Sequence, residues 1–346
     1  MFDIRVFRFN PKIDILSYFK PYFYEKLDFE TLRDLLDDIK ANDPYFDFSK
    51  AKFAKVNDFG VSLDENLSNL INLFGKELTI SPLSEKFSYK DLNFHNDEFS
   101  AKFQAFKEFA NNDDKAFYDD LAVNFYCDKI CKFSENYLGN SGFIFAKYLC
   151  EKYPEKKSQI CEIIKPQMAY FTPAKVLNLA NGDEAFAYFC KELDYKSPKF
   201  SPLCDYDEVL KNFNKNDFKH KFDEFCVCVY GDKNAEKIAE NLGAKTVDFK
   251  AKELKFNPEI YETDKECALA ILSEIIFDAY DNGADFLLVD NQNAFDLFDG
   301  KSNEICAFFG RNLVGFYVLK IDEFLDLAKG EKPQSLSEHK LKVTLI

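Results

Sequence analysis

The stretch Phe225-Cys-Val-Cys-Val-Tyr230 is an apolar run too short for a helix, and helical spacing follows it at Ala235, Ile238, Ala239 and Leu242, ended by Gly243. A short apolar run beside a helical stripe reads as a strand followed by its covering helix. The pattern continues to the end of the chain. Thr246 to Phe249 reads as a strand, and Ala268, Ile271, Leu272, Ile275 and Ala279 as one face of a long helix ended at Asn282-Gly283. Phe286 to Val289 and Gly315 to Leu319 read as strands, and Ile321 to Ala328 as a last helix. Strands alternating with helices imply a parallel sheet with helical covers, so residues 221–346 are expected to form an α/β domain.

Outward from that domain the pattern changes. Residues 197–220, rich in Pro, Asp and Lys, read as a linker, and residues 101–196 as a helical domain with breaks at Gly139, Pro154 and Pro173. Residues 1–100 open with two strands, Phe2 to Phe9 and Tyr18 to Leu27. A helix follows, with Asp28 as its cap and Leu32, Leu35, Leu36 and Ile39 on its apolar face. Asp43-Pro44 stops that helix, because proline disfavours helical backbone in the residue before it. Leu78 to Leu83 is expected as an edge-type strand, since Pro82 cannot donate to a ladder. The fold class that results is α+β and multidomain.

Composition excludes some functions. The net charge of −15 leaves little to neutralise phosphates, and nucleic-acid affinity rests on that neutralisation. The most basic stretch, Lys211 to Lys221 with Phe213 and Phe218 between its charges, is diluted by Asp217, Asp223 and Glu224. The opening strand is not a basic segment followed by an apolar core, so no signal peptide is expected. No run approaches the roughly 18 apolar residues of a membrane span. A cytoplasmic setting with reduced thiols is expected. The sequence has 40 Phe and no Trp, and a compositional bias accounts for this more simply than an aromatic binding function. The 10 Cys all lie from Cys127 onward and never at Cys-x-x-Cys spacing, and His95, His220 and His339 are scattered. No Gly-x-Gly-x-x-Gly, P-loop, nucleophile elbow or His-Glu-x-x-His occurs. No catalytic residue, cofactor-binding residue or metal ligand set is expected.

Five ordered segments carry a resemblance. Val6-Phe-Arg-Phe-Asn-Pro11, Leu32 to Asp43, Ile80-Ser-Pro-Leu83 with Lys90-Asp-Leu92, Tyr137-Leu-Gly-Asn-Ser-Gly142 with Ala146-Lys-Tyr148, and Thr172-Pro-Ala-Lys-Val176 all match one family in order. Through them residues 1–190 resemble the iron–sulfur subunit of succinate dehydrogenase and fumarate reductase. That resemblance implies a β-grasp ferredoxin domain followed by a helical ferredoxin domain. Residues 221–346 resemble the cysteine-rich (CCG) module of heterodisulfide reductase, through Ala235 to Gly243, Gly283-Ala-Asp285 and Ile321 to Gly330 with a trailing His339.

The cluster ligands do not accompany the scaffold. Iron–sulfur clusters are held by thiolates, usually four each. The expected 2Fe–2S loop, between Phe48 and Leu73, contains no Cys. Of the expected run in the helical domain only Cys127 and Cys131 keep their places, with Leu121 and Asn124 where two more thiols would stand. Near the second run only Cys161 is found. In the last module Cys226 and Cys228 hold the first ligand position, while Phe256-Asn-Pro258 and Asp290 to Asn293 replace the other two motifs. A protein without iron–sulfur clusters is therefore expected.

Three readings follow. The first is a non-catalytic accessory or interaction protein whose partner is a flavoprotein or a respiratory-complex subunit, as docking of that kind is what the resemblance implies. The second is a thiol or metal redox site at Cys127 and Cys131, joined by Cys161. Cys127 and Cys131 share a face if the segment is helical, though buried thiols more simply pack as small apolar groups. The third is small-molecule binding at the carboxyl ends of the C-terminal strands, near Gly231-Asp232 and Asp290-Asn291-Gln292. There the simpler alternative is that Asn291 or Asn293 caps a helix.

Overall fold

A computed structural model describes residues 1–198, 201–214 and 217–343. The chain divides into two compact units, Met1–Lys196 and Ser197–Ile346. It is a mixed α/β protein with several sheets, one of them fully parallel.

In the first unit a five-stranded sheet has the order β2-β1-β5-β3-β4. Its strands are β1 (Phe2–Arg8), β2 (Tyr18–Tyr24), β3 (Phe53–Val56), β4 (Phe59–Ser62) and β5 (Glu77–Ser81). Alternation in β1 puts Ile4 and Val6 into the core, where Leu32, Leu35, Leu36 and Ile39 of α1 (Leu32–Asn42) meet them. Thr31 caps α1: it accepts the Asp34 N–H, and the Asp34 carboxylate accepts the Thr31 N–H in return. The expected cap, Asp28, lies three residues too early, because Thr31 with Asp34 satisfies two amides where Asp28 would satisfy one.

Strand β5 corrects another expectation. It is central, paired parallel to β1 and antiparallel to β3. The edge reading leaned on Pro82, but β5 ends at Ser81 and the proline lies outside the ladder. A buried ion network underlies β1 and β2. Arg8 bonds Asp91 at 3.0 Å, Tyr22 at 3.1 Å and Asp43, which also accepts Lys20 and the Tyr22 hydroxyl.

The remainder of this unit holds the small hairpin β6 (Ser88–Lys90) and β7 (Asn93–Phe94), then α2 (Leu67–Phe74) earlier in the chain and helices α3 (Asp97–Lys102), α4 (Asn112–Asp120), α5 (Ala122–Tyr126), α6 (Gly139–Lys152), α7 (Lys157–Ile164) and α8 (Gly182–Glu192). The unit is knitted by close approaches: a Cβ at Gly60 of β4 would stand 2.5 Å from the Cys127 sulfur.

The second unit has a parallel sheet of order β9-β8-β10-β11. Its strands are β8 (Cys226–Tyr230), β9 (Lys245–Thr246), β10 (Phe286–Val289) and β11 (Tyr317–Lys320). Every residue of β10 is buried, as expected for a strand covered on both faces. Helices α10 (Lys233–Asn241), α12 (Lys265–Asp281), α13 (Gln292–Phe298), α14 (Ser302–Phe309) and α15 (Ile321–Lys329) cover it, and α11 (Ile260–Thr263) is a single turn. The expected strand at Thr246 to Phe249 shrinks to a two-residue β9, in which Lys245 and Thr246 pair with β8 and Val247 adds a last N–H to the Val227 carbonyl. Residues 197–220, expected as a linker, belong to this unit. They include α9 (Tyr206–Lys211), whose Tyr206 ring joins the core with Phe222 and Phe324. Residues 199–200 and 215–216 of that stretch lie outside the described residues.

Candidate functional site

Cys127 follows the last turn of α5, and Cys131 sits in the irregular segment beyond it. The segment is not one helix, so the spacing does not put both thiols on a helical face. Each sulfur has its own pocket. Cys127 packs with Val123 and Leu83 against Gly60, and Cys131 against Gly139, where a Cβ would stand 2.8 Å from its sulfur. Burial pushes the Cys127 thiol up to about 11 and the Cys131 thiol well above the ordinary range. These thiols are protonated at neutral pH, whereas metal ligation and nucleophilic attack require thiolates. Where the resemblance places the 2Fe–2S loop, the chain instead makes hairpin β3–β4, turning at Asn57-Asp58 with positive φ at both residues, and then α2. Phe48, Leu63, Leu67 and Leu70 of that span are core residues. Among the described residues no three His, Cys, Asp or Glu side chains converge as a metal site.

The segment between the two thiols holds an internal hub. Asp128 accepts the Ile130 N–H at 2.9 Å and both the N–H (3.0 Å) and the side-chain amide (2.6 Å) of Asn140, in the first turn of α6. The Asn140 amide also donates to the Thr172 carbonyl at 2.7 Å, and its oxygen fills the space a Cβ at Gly182 would need. Burial raises the Asp128 carboxyl to about 6, against those hydrogen bonds. The hub joins three segments of the helical region.

In the C-terminal unit the strand order reverses between β8 and β10, where α/β sheets hold ligands beyond the strand ends. Here the chain fills that place itself. The Asp290 carboxylate accepts the Asp232 N–H at 2.7 Å and the Asn291 side-chain amide at 2.8 Å. Gly231, at φ +155°, admits it: a Cβ there would lie 2.2 Å from the Asp290 carboxyl carbon. The Asp290 carbonyl accepts the Leu203 N–H and the Tyr206 hydroxyl, so the segment before α9 lies across the strand ends. Asn291 caps α13 through the Ala294 N–H, and Gln292 pairs with Asp296 on the surface. Cys228 is buried with its sulfur 3.2 Å from the Val247 carbonyl, and Cys226 is half-buried. The trailing His339 is also internal, 3.2 Å from Glu323, which holds Ser335 as well.

No protein-family model matches this chain, and no curated protein matches it. It is similar to a solved structure, the crystal structure of a hypothetical protein from Helicobacter pylori. The TM-score is 0.74 at 17 % sequence identity, over 100 % of this chain and 98 % of that one. The two share a fold.

Sequence reasoning missed two features. Cys161 does not join Cys127 and Cys131; its neighbour is Cys150 of α6, beside Tyr188. The second feature is a surface. Ile13, Ile15, Leu16, Tyr18, Phe19 and Phe23 are all exposed, Ile15 at 95 %, and all lie on the loop and edge strand of the β1–β2 hairpin. The C-terminal unit exposes Phe308, Phe309 and Val314. The hairpin loop is held in shape: Asn10 accepts the Ile13 and Asp14 N–H groups, and Asp14 accepts the Asn10 N–H at 2.7 Å. Edge strand β2 contains Lys20 and Pro21, and both residue types discourage another strand from pairing there. The alternation of apolar residues was visible, but exposure depends on which sheet edge the strand occupies. No helix of the described residues is long and apolar enough to cross a membrane.

Proposed function

We propose that this chain is a non-catalytic interaction protein that docks a protein partner on its β1–β2 hairpin. The concentration of exposed apolar side chains between Ile13 and Phe23, on a loop fixed by its own hydrogen bonds, carries the reading. Contiguous exposed apolar surface marks binding sites. A loop already ordered also loses little entropy on binding. Because Pro21 and Lys20 blunt the strand edge, contact would run through side chains of the loop and of Phe19 and Phe23, with a few of them as anchors.

The five-stranded sheet clasping α1 supports a β-grasp, ferredoxin-like reading of residues 1–100, and α3 to α8 a helical ferredoxin-like reading of 101–196. The parallel sheet supports a module like the cysteine-rich one of heterodisulfide reductase at 221–346. On that reading the cluster positions have become core, and a partner-docking role remains. A flavoprotein or respiratory-complex subunit is the partner class that this descent suggests.

The test uses the full chain as bait in native extract, beside an Ile13→Asp/Ile15→Asp/Leu16→Asp variant and a control altered at Phe308→Asp/Val314→Asp. The proposal expects one defined partner with wild type and control and its loss with the hairpin variant. Equal capture by all three would overturn it.

A further inference from the structure

We infer that residues 310–315 form a hinged lid, latched by Arg311, beside a surface cleft of the C-terminal unit. The inference stands apart from the docking reading. The segment runs irregularly from the end of α14 to Phe316, just before β11. Glycines stand at both of its ends, Gly310 at φ +71° and Gly315 at φ +68°. Glycine adopts this left-handed backbone without steric cost. A Cβ at either position would meet nothing within 4 Å, so the backbone conformation and not close packing calls for glycine there. A few positions of this kind absorb the dihedral changes of a moving loop.

Arg311 fastens the segment. Its guanidinium donates to both oxygens of Asp281 at the end of α12, at 2.8 and 2.6 Å. It also lies 4.8 Å from the centre of the Phe277 ring and 5.9 Å from those of Tyr280 and Phe309. Phe277 and Phe309 stack on each other at 4.7 Å. Helices α12 and α14 thus build a seat of rings and one carboxylate that suits a guanidinium in shape and charge. The other ties are lighter. The Tyr280 hydroxyl reaches the Val314 carbonyl at 3.5 Å, the far limit of a hydrogen bond. The Arg311 N–H shares the Cys306 carbonyl with the Gly310 N–H, and water replaces such a bond readily at an exposed helix end. The Arg311 and Asp281 side chains are 39 % and 53 % exposed. An ion pair so exposed contributes little alone, and the two-point geometry and ring contacts add to it. The latch therefore favours the closed lid and can still release it.

The closed lid is one wall of a cleft of about 630 Å³. Asn303, Cys306 and Ala307 of α14 form another wall, Arg311 and Leu313 belong to the lid, and Leu341 comes from the C-terminal segment. The volume lies within the range of small-molecule sites. Raising the lid changes access to the cleft and to the half-buried Cys306 sulfur.

Cys306 reports the gate. The native full chain is pulsed with N-ethylmaleimide, quenched and mapped by peptide mass, as wild type, Arg311→Ala and Asp281→Asn, each at low and high sodium chloride. Arg311→Ala should modify Cys306 about fivefold faster, the ratio expected from losing one exposed ion pair with its ring contacts. Half-buried Cys190 and Cys204 should keep their wild-type rates. Asp281→Asn should give a smaller increase, because the rings remain. Salt should accelerate Cys306 in wild type, since an exposed pair is screened, and leave Arg311→Ala unchanged. Equal Cys306 rates in wild type and Arg311→Ala would overturn the lid. So would equal acceleration at all three cysteines, which marks general loosening. If a variant fails to fold, the wild-type salt series decides, and a Cys306 rate unmoved by salt overturns the latch.

Discussion

The crevice beyond β8 and β10 and the hairpin of β1 and β2 are opposites. At the crevice, topology marks a ligand site, and the chain closes it with Asp290, Asn291 and the Leu203–Tyr206 segment. At the hairpin, topology marks nothing, and the chain leaves Ile13, Ile15, Leu16, Phe19 and Phe23 in solvent. The contrast shows that a scaffold locates where chemistry could be placed, while side chains determine whether the place is open. In this protein the polar groups have turned inward to hold structure, and the apolar groups of one hairpin have been left out.

The largest effect is expected beneath the hairpin. Arg8→Met should leave Asp43 and Asp91 as buried carboxylates without their guanidinium. Breaking a buried pair from one side costs about 3–5 kcal/mol. Urea unfolding of the full chain measures it. A loss under about 1 kcal/mol would mean that the hairpin base is looser than the bonds at 3.0 and 3.1 Å imply.

The crevice comes next. Gly231→Ala brings a Cβ against Asp290 and strains a backbone at φ +155°, and strain of that kind costs roughly 1–3 kcal/mol. The cost should shrink in an Asp290→Ala background, because the collision then disappears. If it does not shrink, the crevice is not filled as described.

The hub at Asp128 gives a pH dependence. Burial raises its folded carboxyl to about 6, against an unfolded value near 4. A raised folded value means that the folded state holds the proton more tightly. This contribution to stability is therefore complete below about pH 4 and is lost as pH rises through about 6, to the extent of about 3 kcal/mol. Denaturation midpoints from pH 4 to 7 should fall with this slope, and Asp128→Asn should flatten it. An unchanged slope would place the titration elsewhere.

Much of the C-terminal unit was legible, since β8, β10, α12 and α15 each carry an unbroken apolar run or stripe. The β3–β4 hairpin was not. Its strands are four residues long, and its turn depends on left-handed backbone at Asn57 and Asp58. The central place of β5 was hidden because a parallel partner, β1, lies some seventy residues away in sequence. Cys127 and Cys131 drew attention by spacing alone. Exposure of Ile15 and Phe23 became visible only once β2 was found at a sheet edge.

The smallest effect on stability belongs to the surface proposed to matter most. Replacing Ile13, Ile15 or Leu16 by Ser should each shift stability by no more than about 0.5 kcal/mol, because exposed side chains contribute little to folding. A larger loss would make them structural.

The central claim is tested most directly by placing a photo-crosslinking residue at Leu16 in one full-length variant and at Val314 in another, then irradiating each in native extract. The account predicts a single protein adduct from position 16 that unlabelled wild type competes away, and no matching adduct from position 314. Identical adducts from both positions, or none from position 16, would contradict it.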